Sequence, residues 1–332
     1  MFVLITGATG FVGSFVVREL HARGHRVRAF VRDAKRAAAL GAFIDNVCVG
    51  DLDDGARLAE ASSGVDAIIH AAGLTKAVRS SEFNHINIEC TKRICEISKK
   101  VNPGLAKFVL VSSLAASGPN FDATIPRRES DAPAPVSNYG KSKLGGELAA
   151  REVFKDSNVK LIIIRPPIVY GEGDRDLLVA IRQIAKGFIP IVGGAASLQK
   201  RYSLVHAEDL ARGIVLALES NNSDERCYFL PGPRDATLAG LLDAVESAVG
   251  RRARRISVSL QLARPMASIC EFAARAFSKP SIINRDKLIE IAAPGWTCSP
   301  DAARRDFSYK PQIDFPDGIL RQVRWAREEK LL

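Results

Sequence analysis

A chain of 332 residues with 47% hydrophobic and 25% charged side chains can bury a large core and has the balance of a soluble globular enzyme. Its net charge of +10 is spread along the sequence with one tight cluster, Arg251-Arg252-Ala253-Arg254-Arg255. Such a cluster suits nucleic acid, anionic lipid or a phosphorylated ligand, and the reading adopted is a solvated basic surface with no nucleic-acid partner. Cys48, Cys90, Cys95, Cys227, Cys270 and Cys298 include no Cys-x-x-Cys pair and no His-rich partner segment, which argues against a zinc site or a disulfide framework.

In chain order, Phe2-Val3-Leu4-Ile5 is too short an apolar run for a signal peptide, and no stretch approaches the roughly 20 apolar residues that span a bilayer. The expectation is a cytoplasmic protein with reduced thiols and no membrane insertion. The run reads as a strand, ends in Thr6-Gly7-Ala8-Thr9-Gly10-Phe11-Val12-Gly13, and leads into a helix-period segment through Arg23 with Gly24 as its C-terminal cap. Strand, glycine-rich turn and helix in that order make a phosphate site, where glycines permit tight turning and close approach of backbone to a pyrophosphate. The spacing is G-x-x-G-x-x-G.

A second strand over Arg26 to Val31 ends in Arg32-Asp33, where a dinucleotide fold reads the adenosine ribose. Asp33 suits a free 2′-hydroxyl and Arg32, with Arg28, Lys35 and Arg36 nearby, suits a 2′-phosphate, so NADP(H) is the expected preference with NAD(H) as the alternative. Ile44 to Val49 and Ala67 to Ile69 read as the third and fourth strands. They end in Asp51-Leu52, with Asp51 a partner for the adenine amino group or a helix cap, and in His70-Ala71-Ala72-Gly73, small residues that admit a flat ring. A helix over Glu82 to Lys100 carries Asn87 and Thr91, and Lys107 to Val111 is a strand ending in Ser112-Ser113.

After a Pro-rich segment from Pro119 to Pro135, Tyr139 and Lys143 open a helix one turn apart on the same face. A phenol titrates near ~10, and a neighbouring ammonium lowers that value towards neutrality. Leu161 to Ile164 is fully apolar, as in a strand buried on both faces of a parallel sheet. The alternation predicts an α/β fold, a doubly wound parallel sheet (Rossmann), over residues 1–165. Helices near Asp176 to Lys186, Glu208 to Leu218, Leu238 to Val249 and Leu260 to Phe277 then mix with short strands. Residues 166–332 are therefore expected to form mainly a smaller C-terminal substrate-binding lobe, with 206–220 returning to the sheet. Leu260 to Phe277 suits an apolar lid or a membrane surface, but Arg264, Glu271 and Arg275 interrupt it, which favours a packed lobe helix.

These motifs together resemble an extended short-chain dehydrogenase/reductase of the epimerase/dehydratase superfamily, on its 3β-hydroxysteroid dehydrogenase-like and dihydroflavonol reductase-like side. Asn87-x-x-x-Thr91, Arg165-Pro166-Pro167-x-Val169-Tyr170-Gly171 and Val205-His206-Ala207-Glu208-Asp209 complete the set. The resemblance implies Ser113 as the residue that holds the substrate oxygen, Tyr139 as general acid/base, and Lys143 as the group that holds the nicotinamide ribose. It implies cofactor contacts at Gly7, Thr9, Gly10, Phe11, Val12, Gly13, Arg32, Asp33, Asp51, Leu52, Ala71, Ala72, Gly73, Asn87, Tyr139, Lys143, Pro166 and Val169, and no metal. His70 and His206 read as structural.

Departures from the family pattern narrow the reaction. Leu114-Ala115 after Ser113 lack the acids of a 4,6-dehydratase, and Ala116-Ser117-Gly118 removes an aromatic from the pocket wall. Where nucleotide-sugar enzymes place a diphosphate-binding arginine, this chain has Tyr202 with Arg201 one step away, and one step along a strand reverses the face. Gly145-Gly146 suggests close helix approach across a homodimer interface. The expected function is hydride transfer between nicotinamide and a secondary alcohol or ketone on a moderately apolar small molecule. The alternatives are a nucleotide-sugar epimerase holding NAD tightly and a non-catalytic NADP(H)-binding regulatory or assembly protein.

Overall fold

The computed structural model of the protein describes residues 1–222, 227–276 and 285–332. Its first half alternates as the sequence predicts: β1 (Phe2–Thr6), α1 (Phe11–Ala22), β2 (Arg26–Val31), α2 (Ala34–Ala38), β3 (Asn46–Val49), α3 (Gly55–Ser62) and β4 (Ala67–His70). There follow α4 (Ser80–Asn84), a π turn over His85–Glu89, α5 (Cys90–Val101), β5 (Lys107–Val111), α6 (Leu114–Ser117), α7 (Asn138–Phe154) and β6 (Lys160–Arg165). The third strand begins two residues later than expected because Gly41–Phe43 forms a short 3₁₀ turn. The single helix expected over Glu82 to Lys100 is interrupted by the π turn, which widens the helix at Asn87.

Beyond Arg165 come β7 (Ile168–Tyr170), α8 (Arg175–Lys186), β8 (Phe188–Val192), β9 (Arg201–Tyr202), β10 (Leu204–His206), α9 (Ala207–Glu219), β11 (Cys227–Phe229) and β12 (Ala236–Thr237). The chain continues through α10 (Leu238–Val249), β13 (Arg254–Val258), α11 (Leu260–Ala276), α12 (Arg285–Ala292), α13 (Asp301–Phe307) and α14 (Phe315–Glu328). Phe277, the expected end of α11, lies outside the described residues, as do the side chains of Cys270 and Arg275.

The main sheet runs β11-β6-β5-β4-β1-β2-β3, parallel throughout. Every residue of β4 is buried, as are Leu161 to Arg165 of β6, so helices cover both faces of the sheet. On one face Val3, Ile5, Ile69, Val109 and Ile162 meet Val16, Val17 and Leu20 of α1 and Leu210, Ile214 and Leu218 of α9. On the other face Leu4, Ile68, Phe108, Leu161 and Ile163 meet Leu58 of α3, Ile94 of α5 and Ala150 and Phe154 of α7. The lobe has its own core, in which Ile181 and Ile184 of α8, Ile189 and Ile191 of β8, Leu242 and Val245 of α10, and Ile319 and Val323 of α14 pack together.

Strand order reverses between β1 and β4, which opens a crevice at their carboxyl ends, the place where doubly wound sheets take ligands. The turns that carry Gly7, Arg32, Ala71, Ser113 and Pro166 all leave the sheet on that side.

Candidate active site

The floor of the crevice is backbone. Gly7 has φ +74°, and a Cβ there would lie 2.6 Å from the Ala72 nitrogen, so only glycine lets the β1 turn pass the end of β4. Gly10 donates its N–H to the Gly7 carbonyl at 2.9 Å, and a side chain at Gly13 would collide with that same carbonyl. Helix α1 therefore starts against the turn. Its N-cap, Gly10, offers no side chain and its first turn holds no acid, which leaves the N–H groups of Phe11, Val12 and Gly13 unpaired at the positive end of a helix dipole. This donor set fits a dinucleotide pyrophosphate. Thr9 accepts Arg36 through its carbonyl at 3.2 Å, and the Phe11 ring lies opposite Gly173 of the lobe.

Arg32 is exposed at the end of β2. Asp33 is already engaged, since it caps α2 by accepting from the Lys35 N–H at 2.9 Å. Asp51 turns its own loop, accepting from Asp53 N at 3.1 Å, and the cap of α3 is Asp54 rather than Asp51. Leu52 gives its carbonyl to Arg93 at 3.2 Å.

Deeper in, Thr6, His70 and Thr91 form a buried chain: Thr6 Oγ1 to His70 Nδ1 at 2.6 Å, His70 Nε2 to Thr91 Oγ1 at 3.2 Å. Burial, helped by the Lys143 charge, pushes the His70 imidazole down to about 3, so it stays neutral and holds β1, β4 and α5 together. Asn87, at the centre of the π turn, clasps the loop after Gly73. Its Oδ1 accepts Leu74 N at 2.8 Å, and its Nδ2 donates to Leu74 O at 3.0 Å and to Ser142 Oγ at 2.9 Å.

Ser113 caps the short helix α6, and Tyr139 and Lys143 lie on α7, whose own cap is Ser137. The Ser113 hydroxyl lies close enough to the Tyr139 phenol to act on its pKa, while the Lys143 Nζ donates to the Val111 carbonyl at 2.8 Å and sits beside Gly73. The three predicted residues thus converge at the ends of β4 and β5. The electrostatics differ from expectation. Tyr139 is half-buried as a residue, and burial pushes its phenol up to about 12, with the Ser113 hydroxyl acting the other way. Burial likewise pushes Lys143 down to about 8, with Glu147 acting the other way.

Beneath this trio lies an ion pair that sequence reasoning did not single out. Arg165 clamps Glu147 with Nε at 2.9 Å and Nη2 at 2.6 Å, both side chains buried. Ser112 donates to the same carboxylate, and Arg165 reaches Ser117 Oγ at 3.2 Å. Since Glu147 lies one turn past Lys143, a spacing signal was present, but only the tertiary structure brings Arg165 to it.

The glycine pair of α7 has a use within the chain. A Cβ at Gly146 would collide with the Asn87 carbonyl oxygen, and one at Gly145 would lie 2.6 Å from Ile88 Cδ1, so the pair fits α7 against the π turn.

On the lobe side, Tyr139 and Tyr202 pack on one apolar cluster of Leu114, Ala115, Phe229, Trp296 and Cys298, and the Phe83 ring lies tilted against Tyr139 with the centroids 5.9 Å apart. Arg201 is exposed. Trp296 is fixed beside Tyr202 by backbone bonds from Trp296 N to Arg201 O at 2.9 Å and from Ser203 N to Trp296 O at 2.8 Å. Asp286 of α12 accepts from Asn138 N at 2.8 Å and Asn138 Nδ2 at 3.0 Å, which ties that helix to the start of α7. Pro166 accepts Leu114 N at 2.8 Å, and Val169 packs on the sheet core.

Among the described residues one group has metal-ligand chemistry, Asp53 with His85 and Cys90, but the Arg93 guanidinium already donates to Asp53 there. No helix of the described residues is long and apolar enough to cross a membrane.

Fold and crevice together define the class, a Rossmann-type α/β enzyme of the extended short-chain dehydrogenase/reductase kind. The chain belongs to the NAD dependent epimerase/dehydratase family, whose model matches residues 3–228, and is an NAD(P)-dependent oxidoreductase or epimerase. It is 28% identical to a ceramide reductase of Caulobacter vibrioides across 98% of this chain and 94% of that protein. It is 27% identical to a 2-alkyl-3-oxoalkanoate reductase of Stenotrophomonas maltophilia across 97% and 98%. In structure it resembles a UDP-glucuronic acid 4-epimerase from Bacillus cereus in complex with NAD, with a TM-score of 0.78 at 19% identity over 99% of both chains.

Proposed function

We propose that the protein is an NADP(H)-preferring oxidoreductase that interconverts a ketone and a secondary alcohol on an apolar small molecule. The observation that carries this reading is Tyr202. Its ring lies on the same apolar cluster as Tyr139, with Trp296 beside it, while Arg201 is exposed. A wall of this kind offers a diphosphate no counter-charge and favours an aliphatic or aromatic substituent. Two relatives matched along nearly their whole length are named for ceramide and for a 2-alkyl-3-oxoalkanoate, which agrees with it.

In this reading residues 1–165 with 206–220 bind the dinucleotide and 166–332 mainly shape the substrate pocket. The α1 N-terminus holds the pyrophosphate, Ala71 to Gly73 and Asn87 frame the nicotinamide ribose, and Lys143 hydrogen-bonds that ribose. The bound nicotinamide supplies or takes the hydride at its C4 carbon. Ser113 donates a hydrogen bond to the substrate oxygen, and Tyr139 gives that oxygen its proton on reduction or removes it on oxidation. Ribose hydroxyls hydrogen-bonded to the phenol would offset its burial and lower its pKa in the loaded enzyme.

The 2′-phosphate preference is supported by Arg32, exposed beside Arg36, and by Asp33, whose carboxylate is occupied by its cap. Fluorescence titration with NADPH and NADH tests it. NADPH is expected to bind more tightly and exchangeably, and Arg32→Ala to weaken NADPH roughly tenfold with little change for NADH, the loss of one charge-assisted contact. NAD retained through purification, with no NADPH preference, would turn the assignment towards an epimerase.

A further inference from the structure

The two-stranded sheet β8–β13 has a covered face and a bare one. Ile189 and Ile191 point into the lobe core, so the alternate residues Phe188 and Pro190, with Arg254 and Ile256 in register beside them, point outward. Helix α11 stands on the far end of that outer face, with Ala263 and Ala267 against Val192 and Val258. On its flank Leu262 and Met266, four residues apart, face solvent. Exposure is 41% for Phe188, 44% for Ile256, 64% for Leu262 and 54% for Met266, high for large apolar side chains on one side of one lobe.

Cations border these residues. Lys186, Arg252, Arg254 and Arg264 are exposed, and among the described residues none of the four side chains makes an ion pair or hydrogen bond. The neighbouring arginines are engaged, Arg251 on the Ala185 carbonyl at 2.7 Å and Arg255 on Asp243. Apolar residues bordered by uncompensated cations make an amphipathic surface.

We propose that this side of the lobe adsorbs to an anionic phospholipid surface. A bilayer satisfies both halves of the pattern, since its headgroups take the arginines and the acyl boundary takes Phe188, Ile256, Leu262 and Met266. A second copy of the chain, paired through the same face, would bring eight like charges together, and a nucleic acid would leave the apolar residues unused. Adsorption would also set the α11–α12 side of the site beside the membrane, a consequence that rests on the apolar-substrate reading, whereas the adsorption itself does not.

The test is co-sedimentation of the purified full chain with vesicles of phosphatidylcholine, alone or with phosphatidylglycerol, at low and high salt. Binding is expected for the anionic vesicles only, falling as salt rises. Arg252→Ala with Arg254→Ala should weaken it about 25-fold, roughly fivefold per charge. Ile256→Gln with Met266→Gln, which leave the charge intact, should weaken it at least fivefold. Failure to bind anionic vesicles overturns the proposal, as does equal binding to both compositions. It also fails if the glutamine pair converts an oligomer to a monomer with no vesicle binding in either form, or if the chain binds duplex DNA and vesicles alike with no effect of the glutamine pair. Adsorption with NADPH binding lost would leave the membrane surface standing and remove the proposed catalytic function instead.

Discussion

The backbone of Gly146 lies so close to the carbonyl oxygen of Asn87 that no side chain fits between them. This contact sets α7 against the π turn and so fixes the amide that clasps Leu74 and Ser142. On an exposed helix Gly→Ala gains about 1 kcal/mol, whereas overpacking costs about 1–3 kcal/mol. Gly146→Ala is therefore expected to lower the urea midpoint and weaken cofactor binding together. Gly145→Ala, which meets only side-chain atoms of Ile88 and no backbone, should cost less. A raised midpoint for Gly146→Ala would show that α7 and the π turn can separate to admit a methyl group.

Glu147 and Arg165 are a fully buried pair whose hydrogen bonds also hold Ser112 and Ser117 on either side of Ser113. Removing one partner strands the other charge. Glu147→Ala is expected to cost about 3–5 kcal/mol in denaturant unfolding, and Glu147→Met combined with Arg165→Met to recover most of that. If the double variant were as unstable as the single one, the pair would be needed for its bonds and not only for mutual neutralisation.

Much of this architecture was legible because its causes are local. An apolar strand followed by Gly7, Gly10 and Gly13, and a fully apolar Leu161 to Ile164, each permit one kind of element in one kind of sheet. The trio Ser113, Tyr139 and Lys143 was legible by resemblance and by spacing. What escaped is non-local. The π turn at His85–Glu89 is held by a glycine pair more than fifty residues on, β11 is three residues long, and Trp296 reaches the Tyr202 wall by a pairing across nearly a hundred residues. The direction of the Tyr139 shift escaped for a related reason, because adjacency on a helix says nothing of how deeply both groups are buried.

In the proposed reaction Tyr139→Phe removes the proton donor, while the pyrophosphate and Lys143 contacts that carry most of the cofactor affinity remain. Its kcat should fall about a hundred- to ten-thousandfold, the range for loss of general acid/base catalysis, with NADPH affinity nearly unchanged. Lys143→Met should weaken NADPH binding as well. Stopped-flow turnover and equilibrium titration on the same preparations separate the two, and unchanged turnover in Tyr139→Phe would remove the assignment.

The wall predicts selectivity. Tyr202→Ala opens the apolar cluster beside Tyr139, so kcat/KM for a long-chain ketone should fall roughly tenfold or more while a short-chain ketone is affected less. Comparing the ratio across a chain-length series checks this, and a uniform fall would place Tyr202 outside the pocket.

Lys143 links stability to pH. Burial pushes its pKa from the ordinary 10.5 down to about 8 in the folded chain. Between these values the unfolded chain binds more protons than the folded one. The buried charge therefore opposes folding below about pH 8, and stability rises as pH climbs from about 8 towards 10.5. Tyr139, raised from 10 to about 12, begins to act only above about pH 10 and in the opposite direction. Lys143→Met removes the first effect, although it also gives up the hydrogen bond to Val111, a constant loss of about 1 kcal/mol. In cofactor-free protein the melting temperature of the variant relative to the parent should thus be highest near neutrality and decline steadily through about pH 9.5, where the parent gains what the variant never lost. A difference that stays flat across that window would mean that Lys143 titrates at its ordinary value in the folded chain.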